Sequence, residues 1–169
     1  MSVGVDEHKS RAPKSVSVAI ITVSDTRTEE DDYSGKSIGE ILERAGHKLV
    51  RRVIVKDEMS QIQGVLRELI EDEGIQAIIL NGGTGISTRD LTLEAVSTFE
   101  EKVMPGFGEL FRALSYQEIG SAAMMSRAAA FVTERKVVFC VPGSEKAVRL
   151  ATEKLIAPEL AHAVWEAQR

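Results

Sequence analysis

The chain has 169 residues, 43% of them apolar and 28% charged, which is the make-up of a globular domain rather than of a disordered or fibrous chain. Twenty-one basic residues stand against 26 acidic ones, a net charge of −5, which speaks against a general nucleic-acid face but leaves room for a local anion pocket. One cysteine, Cys140, excludes an internal disulfide framework and a four-cysteine zinc site.

Residues 1–14 are polar, carry no apolar signal segment, and read as a flexible arm ahead of a single domain over 15–169. No apolar run approaches membrane-spanning length, so a cytoplasmic protein is expected. Residues 16–23 are apolar at nearly every position and predict a central strand covered on both faces. The acidic run Glu29 to Asp32 reads as a solvated loop, and Ser34 as the cap of a helix through Ile38, Ile41, Leu42 and Ala45 that Gly46 ends. Residues 49–55 predict a second strand. Ser60 is the expected cap of a helix with Ile62, Val65, Leu66, Leu69 and Ile70 on its buried stripe. Residues 77–80 predict a third strand.

Thr92 opens a short helical pattern, Pro105-Gly106 a turn before a helix near residues 107–114, and the Ala- and Met-rich stretch 121–133 predicts another helix. Met124 and Met125 in it are expected to pack on the core or on another subunit. Residues 137–141 read as a buried strand holding Cys140 as an inert thiol, and Ser144 as the cap of a last helical stretch interrupted around Pro158. This alternation predicts one three-layer α/β/α sandwich on a mostly parallel sheet. Ligands in such sheets bind beyond the carboxyl ends of the strands. Three polar loops fall there: Ser24-Asp25, Asn81 to Asp90, and Pro142-Gly143-Ser144.

In the glycine loop, Gly82, Gly83 and Gly85 let a ligand approach backbone N–H groups closely, and Thr84, Ser87 and Thr88 add hydroxyls. The spacing matches neither a Walker loop nor the dinucleotide fingerprint. The loop is either an anion nest or merely a tight connection. Asp25 and Asp57 follow strands and Asp90 follows the glycine loop; each is either a structural cap or a functional carboxylate that holds a divalent ion opposite phosphates or orients a reactive group. Gly143 and Ser144 open a helix, with Lys146 nearby as an anion contact. His8, His47 and His162 share no metal-ligand spacing and receive no catalytic role.

Taken together, Asn81-Gly82-Gly83-Thr84-Gly85, Arg89-Asp90, Met104-Pro105-Gly106-Phe107-Gly108-Glu109 and Val141-Pro142-Gly143-Ser144 resemble the molybdenum cofactor biosynthesis family, particularly its protein B branch. Thr22-Val23-Ser24-Asp25 and Val55-Lys56-Asp57-Glu58 strengthen the resemblance, which runs over nearly the whole chain after the arm. It implies a homotrimer or hexamer, binding of molybdopterin, and ATP and magnesium as the means of adenylylating the terminal phosphate of that pterin. It assigns catalytic roles to Asp57 and Asp90, with Asp90 on the metal, and ligand contacts to Gly82, Gly83, Thr84, Gly85, Ser87, Pro142, Gly143, Ser144 and Lys146. Other pathway proteins are implied as partners. The alternative is a non-catalytic molybdopterin-binding or scaffold protein.

Overall fold

The computed structural model describes residues 11–169; residues 1–10, which hold most of the expected arm and His8, lie outside it. Strands β1 (Ser17–Val23), β2 (Lys48–Val55), β3 (Ala77–Asn81), β4 (Lys102–Val103), β5 (Ala129–Thr133) and β6 (Lys136–Val141) form one sheet in the order β2-β1-β3-β6-β5-β4. The first four in that order run parallel, and β5 and β4 are added at one edge through antiparallel pairings. Helices α1 (Tyr33–Arg44), α4 (Pro105–Ile119), α5 (Glu145–Ala151) and α6 (Ala157–Gln168) cover one face. The other is covered by α2 (Met59–Glu71) and the short α3 (Thr92–Val96). This is the predicted three-layer sandwich on a mostly parallel sheet.

The sheet is covered on both sides because its central strands are apolar at both parities. Ile20, Ile79 and Phe139 meet Ile38, Leu42, Phe107, Phe111 and Leu160 on one face. Ile21, Ile78, Leu80 and Cys140 meet Ile62, Leu66 and Leu69 on the other. Cys140 is wholly buried, which pushes its thiol far above the ordinary range and leaves it unreactive.

The predicted helix over 121–133 does not form. Gly120, at φ +63°, ends α4, a 3-10 turn takes Gly120–Met125, and β5 follows. Alanine propensity is a weak preference. Here it loses to a strand that buries Ala130 and Phe131 while pairing with β6 and β4. Met124 and Met125 point outward, 81% and 49% exposed, so packing on the core is ruled out for them. Pro158 sits in the first turn of α6, and the interruption precedes it as a π turn over Thr152–Ile156, consistent with the backbone bond a proline cannot donate.

Two caps differ from expectation. Asp32, not Ser34, caps α1, its Oδ1 accepting from the Gly35 N–H at 2.9 Å. Asp32 is therefore buried, unlike the rest of the acidic run, and Thr22 Oγ1 donates to its Oδ2 at 3.0 Å. Met59, preceded by Glu58, opens α2 without a side-chain cap, so Ser60 lies inside the helix. His47 is a core residue whose Nδ1 accepts from the Val16 N–H.

Candidate functional site

Because β1, β2, β3 and β6 run parallel, their carboxyl ends lie at one edge of the sheet, where the loops after Val23, Val55, Asn81 and Val141 emerge together. The chain leaves β1 toward β2 on one side and returns to β3 on the other, so the edge between β1 and β3 is a topological switch point.

The glycine loop is fastened there by its own geometry. Gly82 has φ +97°, and a Cβ on it would stand well inside the 3.0 Å of the Val23 carbonyl that such atoms essentially never breach. Gly143 packs on it so closely that a Cβ there would lie 3.0 Å from Gly82 Cα. The Gly143 carbonyl accepts from Ser34 Oγ at 2.7 Å. The glycine loop and the Pro142-Gly143-Ser144 turn are thus one packed unit.

The loop's carbonyls are occupied one after another. Gly82 O accepts from Thr92 Oγ1 (2.8 Å), Gly83 O from Thr92 N (3.0 Å), Thr84 O from Arg127 N (3.4 Å) and Gly85 O from Arg127 Nε (2.8 Å). In a planar trans peptide the following N–H points opposite to the carbonyl. The N–H groups of Gly83, Thr84, Gly85 and Ile86 therefore turn away from these partners, and among the described residues none has a hydrogen-bond acceptor. Thr84 is buried, while Gly83, Gly85 and Ile86 reach solvent. Such a run of outward N–H groups has the chemistry of an anion nest. The expected backbone contact from Gly82 is corrected: its N–H is already given to Val141 O at 3.0 Å, so Gly82 shapes the turn instead.

Three carboxylates border this loop. A Cβ on Gly83 would lie 2.7 Å from Asp57 Oδ2, and one on Gly85 would lie 2.7 Å from Asp90 Oδ2. Asp57 Oδ1 accepts from Leu91 N at 3.0 Å, so it is Asp57, across the cleft, that binds the amide just ahead of α3. Asp90, which sequence allowed as that cap, instead accepts from Ser87 N at 2.9 Å. Asp25 Oδ1 accepts from Asp57 N at 3.1 Å, and Asp25 Oδ2 takes an ion pair from Arg89. Burial, and then the negative charges of Asp90 and Asp25, push the Asp57 carboxyl above its ordinary value, outweighing the Leu91 N–H and Arg89.

The remaining predicted residues have these positions. Ser144 Oγ caps α5 by accepting from Ala147 N at 3.3 Å. Pro142 is half-buried beside it, and Lys146 is exposed in the first turn of α5. Ser87 and Thr88 are exposed on the outer part of the loop. Asn81 is fully buried at the end of β3, its Nδ2 donating to Ile21 O (3.3 Å) and Thr22 Oγ1 (2.9 Å).

A groove of about 630 Å³ opens beside Asp25, lined also by Ser24, Arg27, Arg52, Lys56 and Gln61 among others. A cavity of about 100 Å³ lies at the switch point between Asn81, Asp32, Ser34 and Gly143. A separate groove of about 550 Å³ between α6 and the β4–β5 edge contains none of these residues. Sequence reasoning missed Arg127, which no motif flags, and gave no site role to Arg27, Arg52 and Lys56.

The comparisons with known proteins can now be set against this geometry. Residues 19–162 match the molybdenum cofactor biosynthesis family model described as "Probable molybdopterin binding domain".

The chain belongs to that family.

It is 52% identical over 166 residues to molybdenum cofactor biosynthesis protein B of Bacillus cereus, covering 98% of each chain. A crystal structure of a molybdenum cofactor biosynthesis protein B superposes with a TM-score of 0.90 at 52% identity, over 94% of this chain and 99% of the other. The tungsten cofactor synthesizing protein MoaB from Pyrococcus furiosus gives a TM-score of 0.85 at 36% identity, over 94% and 100%. The family match spans the glycine loop, all three carboxylates and the Pro-Gly-Ser turn. Among the described residues, no helix is long and apolar enough to cross a membrane.

Proposed function

We propose that the protein is a cytoplasmic molybdopterin adenylyltransferase that uses Mg·ATP. The observation that carries this reading is the run of outward N–H groups in the glycine loop set directly against Asp57 and Asp90. Amide donors suit a phosphate, and adjacent carboxylates suit the cation that accompanies a polyphosphate.

In the proposed reaction an oxygen of the molybdopterin terminal phosphate attacks the α-phosphorus of ATP. A new phosphorus–oxygen bond forms, the bond from the α-phosphorus to the bridging oxygen of the β-phosphate breaks, and pyrophosphate leaves. Gly83, Gly85 and Ile86 N–H groups hold the attacking phosphate, and the groove past Asp25 takes the bulk of a ligand. Ser144 and Lys146 follow Gly143, which packs on Gly82, and are proposed as further contacts to the ligand.

The described residues contain no cluster of three or more His, Cys, Asp or Glu side chains arranged to hold a metal ion. The pair Asp57 and Asp90 beside the loop fits magnesium, which binds through one or two carboxylates plus substrate phosphates. Asp90, with Asp57 beside it, would hold the ion, which when bound neutralises polyphosphate charge. Asp57, held by Leu91 N–H, fixes the position of the loop relative to α3.

The assembly proposed is a homotrimer or hexamer, with contacts to other pathway proteins. Tyr116, Ile119, Met124 and Met125, all exposed at the end of α4 and in the following turn, offer an apolar face for a second copy. Sedimentation analysis tests this, and a monomer at all concentrations contradicts it.

The function is tested by incubating the protein with molybdopterin, ATP and magnesium. Adenylyl-molybdopterin and an equal amount of pyrophosphate are expected. Measurable pterin binding without product would reject the transferase and leave a binding or scaffold protein.

A further inference from the structure

Arg127 lies between the 3-10 turn and β5, 42 residues from Gly85 in sequence. It nevertheless holds the loop at three carbonyls. Its backbone N–H donates to Thr84 O at 3.4 Å, its Nε to Gly85 O at 2.8 Å and its Nη2 to Asp90 O at 3.1 Å. The guanidinium is seated in turn by Glu94 of α3, at 2.5 Å from Nη1 and 3.2 Å from Nη2. The hydrogen bond from Arg127 holds the Glu94 carboxyl below its ordinary value.

These contacts decide which way peptide planes face. With Thr84 O and Gly85 O held by Arg127, the N–H groups of Gly85 and Ile86 point away from it. A flip of either plane would break a bond to Arg127 and turn a carbonyl oxygen toward the anion, and the permissive backbone of Gly85 makes such a flip sterically easy. By holding Asp90 O, the same guanidinium fixes the residue whose Oδ2 accepts from Ser87 N. Only a planar fork spans Gly85 O, Asp90 O and the Glu94 carboxylate at once; a lysine ammonium is a single point.

We infer that Arg127 is a positioning residue that sets the N–H orientation of the glycine loop for a phosphate ligand without touching that ligand. This inference rests on the loop being the phosphate site. It is tested on the full chain with inorganic phosphate as the probe, in two measurements. One is amide hydrogen exchange of the ligand-free protein at the bonded N–H groups of Ser87, Asp90, Leu91 and Thr92. The other is phosphate titration followed by the amide resonances of Gly83, Gly85 and Ile86.

Arg127→Ala is expected to speed exchange at those four amides and to weaken phosphate binding, each by roughly 10-fold, as loss of a charge-assisted bond implies. Amides of β1 and β3 stay protected. Arg127→Lys keeps the charge and is expected to restore neither. If Arg127→Ala does not fold, Glu94→Gln, which loosens only the seat of the guanidinium, shifts exchange in the same direction. Unchanged exchange in these variants, or full recovery of phosphate affinity by Arg127→Lys, would overturn the inference, the latter because Arg127 would then act only as a cation. A looser loop in Arg127→Ala beside a wild type with no phosphate response would reject the loop as the phosphate site and leave the positioning role standing.

Discussion

Replacing Gly82 by alanine tests the packed unit on which the site is built. Gly82 has φ +97°, outside the region alanine adopts readily, and holding a non-glycine residue in such a conformation costs about 1–3 kcal/mol. Its Cβ would also collide with the Val23 carbonyl oxygen, a backbone atom of the central strand that has no rotamer to change. Overpacking of that kind costs about 1–3 kcal/mol more. The expected loss is therefore about 2–6 kcal/mol, a large part of the stability of an ordinary domain. Gly64→Ala is the matched control: it lies exposed within α2, its φ is not positive and nothing stands within 4 Å of the new methyl. It should stabilise by about 0.5–1 kcal/mol. Urea unfolding reads both. With a slope of about 2 kcal/mol per molar, the Gly82→Ala midpoint falls by roughly 1–3 M. A Gly82→Ala protein within about 0.5 kcal/mol of wild type, the range of an ordinary surface change, would refute the close approach of the loop to β1.

Asp57→Asn should abolish turnover yet stabilise the fold. Because the folded carboxyl is raised, the stability it contributes is present below its unfolded value near 3.8 and is lost as pH rises through the folded value. The variant's gain should therefore be absent in acid and appear as pH rises toward 7, read as a rise in Tm; a gain that does not change with pH contradicts the raised carboxyl. Asp90→Asn should cut adenylylation by on the order of 100-fold or more through loss of a metal position, while Tm stays within a few degrees. Wild-type turnover would remove Asp90 from the reaction. Asp32→Ala removes both the α1 cap and the acceptor for buried Thr22, so it should cost about 2–4 kcal/mol in urea unfolding, and a loss under 1 kcal/mol would deny that buried bond.

The central strands were legible because residues 18–21, 77–80 and 137–141 are continuous apolar runs that only a doubly covered sheet buries. The strand-end positions of Asp25 and Asp57 were legible for the same reason. What brings them together is the parallel order β2-β1-β3, which no local segment encodes. The antiparallel β4–β5 edge was hidden by alanines whose helical preference is overridden by pairing with β6. Asp32 was hidden inside an acidic run, since nothing local tells which of four carboxylates turns inward. Arg127 left no trace because its partners in the loop are carbonyls, which carry no side-chain identity in a sequence, and Glu94 lies 33 residues away.

A crystal structure with molybdopterin, magnesium and a non-hydrolysable ATP analogue tests the central claim most directly. The account predicts the pterin terminal phosphate within hydrogen-bond reach of the N–H groups of Gly83, Gly85 and Ile86, with Asp90 on the metal. A phosphate seated elsewhere, for example in the groove between α6 and the β4–β5 edge, would contradict it.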